Sequence, residues 1–140
     1  MTRRPSSEQV ESLIDAAREA RDRAYAPYSG FRVGAAVLAD DGRVFAGANV
    51  ENAAYPLGTC AERNAVGRAV SEGARWIKAV AIAGPTDALT WPCGGCRQVL
   101  YEFGRDLVVI SQGRGGARSQ RSIKRLLPDA FGPHDLERPR

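Results

Sequence analysis

The chain has 140 residues, of which 44% are hydrophobic and 26% are charged. This length suits one domain with one core, and this composition is typical of a globular protein and excludes an intrinsically disordered one. The formal net charge is +4, and the basic residues are interspersed with acidic ones, so the charge pattern does not favour nucleic-acid binding.

The amino-terminal third of the chain predicts a helix followed by a β-hairpin. Apolar residues recur at helical spacing over residues 6–24, and Ser6 with Gln9 matches a capping box. Alternating apolar residues over 31–38 predict a half-buried strand. A turn then returns the chain as a second, antiparallel strand over 43–50.

The rest of the chain alternates helices with strands, and two of the helices begin near cysteines. In chain order, we expect a helix over 60–71 capped by Thr59, a strand at Ile77–Ala83, a helix after Pro92 that runs to about Phe103, a strand over 107–111, a weak edge strand around Arg118 and a short helix over 121–127. The strand at Ile77–Ala83 is apolar almost throughout, as expected of a strand covered on both faces.

This order of elements predicts the fold class. We expect an α/β protein, a three-layer α-β-α sandwich with a mixed sheet of about five strands, forming a single domain over residues 1–140 with its core at about 7–133. No apolar stretch approaches the roughly 20 residues that cross a bilayer, and the first residues turn polar where a signal peptide needs an apolar segment. We therefore expect no membrane association and a cytoplasmic location.

Three cysteines, Cys60, Cys93 and Cys96, are the strongest chemical signal in the sequence. An odd number without a secretion signal disfavours a disulfide framework. The C-x-x-C spacing lets two thiolates meet one ion, although a redox pair has the same spacing and a structural zinc site needs a fourth ligand. With Cys60 as the third donor, a zinc ion keeps one open position, which is the coordination of a catalytic metal.

Glu62 follows Cys60 by two positions, so a helix that begins there directs its carboxylate toward the same cavity. An isolated glutamate is more often a solvated charge on a helix face, and only the register with Cys60 favours a proton-shuttling role. Zinc-dependent nucleobase deaminases carry this combination: a ligand, any residue and Glu, followed later by Pro-Cys-x-x-Cys.

On these motifs the chain resembles the short, single-domain cytidine deaminases. The resemblance extends from about residue 25 to residue 133 and is carried by residues 27–36 (PYSGFRVGAA), 49–55 (NVENAAY), 60–65 (CAERNA), 92–98 (PCGGCRQ) and 126–133 (LLPDAFGP). It implies zinc-dependent hydrolytic deamination of cytidine and 2′-deoxycytidine, with release of ammonia, as a step of pyrimidine salvage.

The resemblance also implies roles around the metal. Cys60, Cys93 and Cys96 bind one zinc ion per chain as thiolates, Glu62 moves protons, and Arg63 contacts a ligand cysteine. Positive charge near the sulfurs is needed because three thiolates outweigh the charge of zinc.

For the substrate, the resemblance implies that Asn49 and Glu51 bind the sugar hydroxyls, that Phe31 packs beside the nucleoside and that the main chain at Ala61 meets the base edge. Without the resemblance, Asn49 and Glu51 fit an ordinary polar loop equally well. Phe31 is also compatible with a core position, which does not exclude contact with the substrate. The family's short members are homotetramers in which residues matching Tyr55 and Phe131 reach a neighbouring site. A carboxylate at Glu51 disfavours a phosphorylated substrate.

Two other functions remain open at this level. A deaminase of another cytosine-containing nucleoside, such as blasticidin S, uses the same metal chemistry, although the block over 49–55 favours cytidine. A zinc-stabilised nucleic-acid binding or editing module needs concentrated basic residues and exposed aromatic side chains, and neither is evident in the sequence.

Overall fold

A mixed five-stranded sheet runs through the middle of the molecule, and the computed structural model describes residues 4–136 around it. Its strands are β1 (Gly34–Ala39), β2 (Val44–Ala48), β3 (Ile77–Ala83), β4 (Val108–Gln112) and β5 (Arg118–Ser122). Their order across the sheet is β2-β1-β3-β4-β5, and only β3 and β4 pair in parallel. The expectation of a mixed sheet of about five strands is confirmed.

Helices cover both faces of this sheet. They are α1 (Ser7–Arg21), α2 (Ala61–Ser71), α3 (Gly94–Phe103) and the short α4 (Ile123–Leu126). One apolar cluster joins α1 to alternate residues of the central strands, among them Ala36 and Leu38, and a second cluster joins α2 and α3 to the opposite set, among them Ala35 and Val37. The predicted α-β-α layering is therefore confirmed.

Several predicted elements match the structure closely. The Ser6 hydroxyl accepts a hydrogen bond from the Gln9 N–H, and the Gln9 side chain accepts one from the Ser6 N–H, which completes the capping box of α1. The central strand spans Ile77–Ala83 as predicted. The weak edge strand expected around Arg118 is β5.

The first strand was predicted wrongly in both extent and burial. β1 begins at Gly34, and all six of its residues are buried, so it is not the half-buried strand predicted over 31–38. Helices cover both of its faces, and small residues such as Ala36 occupy the positions that were predicted to face solvent. Phe31 lies before the strand in a loop and is 45% exposed.

Three helix ends also differ from the prediction. α1 ends at Arg21 rather than at residue 24. The residue at the N-cap of α2 is Cys60 rather than Thr59. The last helix is confined to Ile123–Leu126 because residues 121 and 122 belong to β5, and the Ser122 hydroxyl caps the helix by accepting from the Arg125 N–H.

Close packing fixes α2 against the sheet. A Cβ atom at Gly47 of β2 would lie 2.6 Å from the main-chain nitrogen of Ala65 and 3.0 Å from the carbonyl oxygen of Ala61. Glycine at this position therefore lets α2 approach the strand and sets the height of the helix start above the sheet. Among the helices of residues 4–136, none has the length and apolar character needed to span a membrane.

Candidate metal centre and cavity

The three cysteines meet at the start of two helices. Cys60 is the N-cap residue of α2, Cys93 is the N-cap residue of α3, and Cys96 lies in the first turn of α3. Their sulfur atoms all lie within 4.8 Å of one another, so one cation can contact all three. Helix N-termini carry partial positive charge, which favours thiolates at these positions.

The protonation of these thiols is unequal. Burial raises the pKa of Cys60 and of Cys96, and the nearby thiols and Glu62 add to the rise at Cys96. Burial also opposes ionisation of Cys93, but the Cys96 N–H and the two neighbouring thiols outweigh it and lower the pKa of Cys93. A bound dication offsets the cost of gathering three negative sulfurs, and a set of thiolate donors fits zinc.

Glu62 lies in the first turn of α2, and only 5% of its surface is exposed. Burial raises the pKa of its carboxyl group because the ionised form loses hydration. A raised pKa makes the carboxylate a stronger base, which suits a group that must accept a proton and then return it.

A single cavity of about 330 Å³ contains most of the predicted site. This volume lies in the range of small-molecule sites. The predicted residues that line it are Phe31, Asn49, Glu51, Cys60, Ala61, Glu62 and Cys93. Cys96 is fully buried beside the other two cysteines.

Asn49 and Glu51 are bound to the loop that carries Phe31. The Asn49 side chain accepts from the Val33 N–H at 2.9 Å and donates to the Phe31 carbonyl oxygen at 2.8 Å. The Glu51 carboxylate accepts from the Tyr28 N–H at 2.9 Å, from the Ser29 N–H at 3.1 Å and from the Ser29 hydroxyl.

These bonds also affect the charge of Glu51. The Ser29 hydroxyl, with the Ser29 and Tyr28 N–H groups, lowers the pKa of Glu51 despite partial desolvation. An ionised carboxylate therefore lines the same cavity as Cys60 and Cys93.

Three predicted residues lie outside this cavity. Tyr55 is 74% exposed and lines a neighbouring surface cavity of about 370 Å³, with its ring 5.8 Å from that of Tyr28. Phe131 is 61% exposed, and its carbonyl oxygen accepts from the Gln98 side chain at 2.9 Å. Arg63 is exposed on α2.

Sequence reasoning missed Ser29, Thr90 and Trp91 as residues that line the site. Trp91 stands directly before Pro92-Cys93, so its proximity to a metal ligand could have revealed it. Ser29 and Thr90 had no comparable signal, because serine and threonine are frequent in loops for local reasons.

Comparisons with known proteins agree with this geometry. A family model described as the cytidine and deoxycytidylate deaminase zinc-binding region matches residues 7–112. A cytidine deaminase of Sporosarcina psychrophila is 45% identical over 128 residues, covering 91% of this chain and 94% of the relative.

Solved structures give the same result. The crystal structure of cytidine deaminase from Burkholderia pseudomallei has 48% sequence identity and a TM-score of 0.83, covering 86% of this chain and 98% of that one. The crystal structure of cytidine deaminase from Mycobacterium tuberculosis has 43% identity and a TM-score of 0.77, covering 88% of this chain and 97% of that one.

Proposed function

The chain belongs to the cytidine and deoxycytidylate deaminase family, and from this premise we propose that it hydrolyses cytidine and 2′-deoxycytidine to uridine and 2′-deoxyuridine with release of ammonia. The observation that carries the proposal is the meeting of three cysteine sulfurs and a buried glutamate in one nucleoside-sized cavity. The ionised Glu51 that lines this cavity favours a free nucleoside over a phosphorylated one, because like charges repel at short range.

The three cysteine donors indicate which metal the site would hold. Cys60, Cys93 and Cys96 would hold one zinc ion per chain, and a zinc ion with an open position supplies Lewis-acid activation of water. The positive ends of α2 and α3 lie beside these sulfurs and offset part of their charge.

Glu62 carries the proton transfers in this proposal. Its carboxylate takes a proton from the attacking water and delivers it to N3 of the pyrimidine as the oxygen bonds to C4. Glu62 then takes the proton of the new C4 hydroxyl and transfers it to the amino group. The C4–N4 bond breaks as the C4 carbonyl forms, and ammonia leaves. Its nearly complete burial limits exchange of these protons with bulk solvent.

In this proposal Asn49, Glu51 and Phe31, which line the same cavity, bind the rest of the nucleoside. Asn49 and Glu51 keep unused hydrogen-bonding capacity for sugar hydroxyls while they hold the loop, and the Phe31 ring lines the cavity for contact with the nucleoside. We propose that the main chain at Ala61, which lines the same cavity, meets the base edge.

The proposal extends to assembly and cellular context. Large apolar side chains are exposed on the segments around the cavity, namely Tyr25, Tyr28, Phe31, Val50, Tyr55 and Leu57. Exposed apolar patches mark association surfaces. We propose a homotetramer in which Tyr55 and Phe131 contribute to a neighbouring site, with residues 7–133 as one catalytic domain acting in cytoplasmic pyrimidine salvage.

A direct assay tests the activity. The ultraviolet absorbance change that accompanies conversion of cytidine to uridine gives the rate, and zinc content per chain is measured on the same sample. We expect Glu62→Gln to lower kcat by roughly 100-fold to 10,000-fold, the usual contribution of general acid–base catalysis. Glu72→Gln, at the exposed C-terminal end of the same helix, is the control and should retain the wild-type rate.

Three outcomes contradict the proposal. An unaltered rate in Glu62→Gln rejects the shuttle. Turnover of deoxycytidylate or blasticidin S in preference to cytidine rejects the substrate assignment. Full activity of protein without metal rejects the zinc site.

A further inference from the structure

Trp91 lines the same cavity as Glu62 and Cys93. Its main chain is fixed from both sides. The buried Ser111 hydroxyl accepts from the Thr90 N–H at 3.0 Å and donates to the Thr90 carbonyl oxygen at 2.7 Å. On the other side, Arg97 Nε donates to the Pro92 carbonyl oxygen at 2.7 Å.

The Trp91 side chain is held separately by the edge strand β5. The guanidinium carbon of Arg121 lies 5.2 Å from the centroid of the Trp91 ring. This distance is within the range of a cation–π contact. The guanidinium is itself anchored, because Nη1 donates to the Ser119 hydroxyl and to the Gln120 carbonyl oxygen.

The covalent chain places Trp91 at the reacting end of the cavity. Its Cα lies within about 7 Å of the Cα of Cys93, because two residues span no more than that even when extended. The proposed sugar-binding residues Asn49 and Glu51 instead follow β2. A bulky ring held in one place beside the metal ligands therefore limits the space around the group that leaves the pyrimidine.

We propose that Trp91 is a specificity-determining residue and that Arg121 positions it. The indole admits a pyrimidine with an unsubstituted exocyclic amine and rejects one whose N4 carries an alkyl group. This inference rests on the proposed deaminase function and adds a limit on the size of the N4 substituent that a substrate can carry.

The kinetic test compares cytidine with N4-methylcytidine, which hydrolysis converts to uridine and methylamine. The readout is the ratio of kcat/KM for the two substrates. We expect Trp91→Ala to reduce the preference for cytidine at least about 10-fold, since one carbon atom in a shaped pocket is worth roughly 10-fold to 200-fold in discrimination. Trp91→Phe should give an intermediate ratio, and it keeps an aromatic ring in place if the alanine variant does not fold.

Two variants of Arg121 separate its positioning role from the specificity role of Trp91. Arg121→Leu should raise KM for cytidine more than it lowers kcat and should reduce the preference, whereas Arg121→Lys, which keeps a cation beside the ring, should restore both. Arg125→Leu removes an exposed arginine that does not line the cavity and should leave the substrate ratio unaltered. An unaltered ratio in both Trp91 variants overturns the specificity role, and an unaltered ratio in Arg121→Leu overturns the positioning role.

A binding measurement keeps this inference distinct from the deaminase proposal. The chain has two tryptophans, and Trp76, immediately before β3, is not among the residues that line the cavity. In a Trp76→Phe variant, the remaining fluorescence reports Trp91, and we expect titration with uridine to change it saturably. No change during saturable binding measured by calorimetry overturns contact at Trp91. Absence of both uridine binding and cytidine turnover rejects the deaminase function instead.

Discussion

The Glu51 carboxylate accepts three hydrogen bonds from the Tyr28–Ser29 segment, and one of the three donors is a side-chain hydroxyl. Glu51 therefore has two tasks, since it orders the loop that leads to Phe31 and places a negative charge at the cavity. The Ser29 hydroxyl is the largest contributor to the lowered pKa of Glu51.

Ser29→Ala should raise the pKa of Glu51 toward its ordinary value. A carboxyl group with a lowered folded-state pKa stabilises the protein above its unfolded-state pKa, and this contribution is lost as the pH falls through the folded-state pKa. In Ser29→Ala this contribution should be smaller and its loss should be complete at a higher pH, and KM for cytidine should rise. Carbon-detected NMR titration of Glu51 and a pH series of KM measure both effects.

Ser71→Ala, at the exposed end of α2, is the matched control and should leave both quantities unaltered. An unshifted Glu51 titration in Ser29→Ala would show that the main-chain donors alone hold the charge.

Residue-level prediction from the sequence succeeded where the chemistry depends on short spacing. Cys60 and Glu62 are two positions apart, and Cys93 and Cys96 share the first turn of one helix, so local geometry brings each pair together. The hydrogen bond between Glu51 and Ser29 joins residues 22 apart in the sequence, and Arg121, on strand β5, contacts the Trp91 ring. Such contacts exist only after the strands have paired, so no local pattern reveals them.

At the scale of elements, the packing of α2 against β2 sets the position of the metal site, because Cys60 is the N-cap residue of α2. Gly47→Ala should push α2 outward, because its Cβ would meet main-chain atoms of Ala65 and Ala61 that cannot rotate away. We expect a loss of about 1 to 3 kcal/mol in the free energy of unfolding, as for other overpacked sites. Zinc content and kcat should fall as well, because α2 carries Cys60 and Glu62. Urea unfolding, metal analysis and the cytidine assay measure these changes.

Gly67→Ala is the control within the same helix, because a Cβ there meets no atom within 4 Å. Alanine in place of a helical glycine should stabilise the protein by about 0.5 to 1 kcal/mol without altering zinc content. Equal zinc retention in both glycine variants would show that the site tolerates movement of α2.

The error in β1 has a physical cause at this same scale. Phe31, Val33, Ala35 and Val37 alternate as in a strand with one buried face, and the intervening Gly34 and Ala36 are compatible with either solvent or a closely packed helix. The identity of a small residue therefore does not show whether solvent or a helix covers it. A Cβ at Gly34 would lie 1.8 Å from the Ala17 carbonyl oxygen, so here the cover is α1.

At the scale of the whole molecule, the exposed aromatic residues around the cavity lead to a prediction about assembly. Tyr55→Glu should break the proposed tetramer and lower kcat/KM for cytidine at least about 10-fold, because burying a carboxylate at an apolar contact is costly. Analytical ultracentrifugation and the cytidine assay on the same preparation measure both effects.

Val44→Glu, at the start of β2 and away from Tyr55, is the control and should leave the assembly intact. A fully active wild-type monomer would contradict the proposed assembly.

The layered fold was predictable because helices and strands alternate along the chain with clear breaks. The order of strands across the sheet was not, because β1 lies between β2 and β3 and pairs with both. Nothing in the sequence of β1 distinguishes its two neighbours, since both of its edges consist of the same main-chain groups.

Cys60 and Cys93 bracket a long stretch of chain that contains all of α2 and the central strand β3. An ion shared by these two thiolates closes that stretch into a loop and removes conformational entropy from the unfolded chain. Metal binding should therefore disfavour local unfolding of β3. The main-chain amides of β3 should then exchange their hydrogens more slowly in the metal-loaded protein, although β3 supplies none of the three proposed ligands.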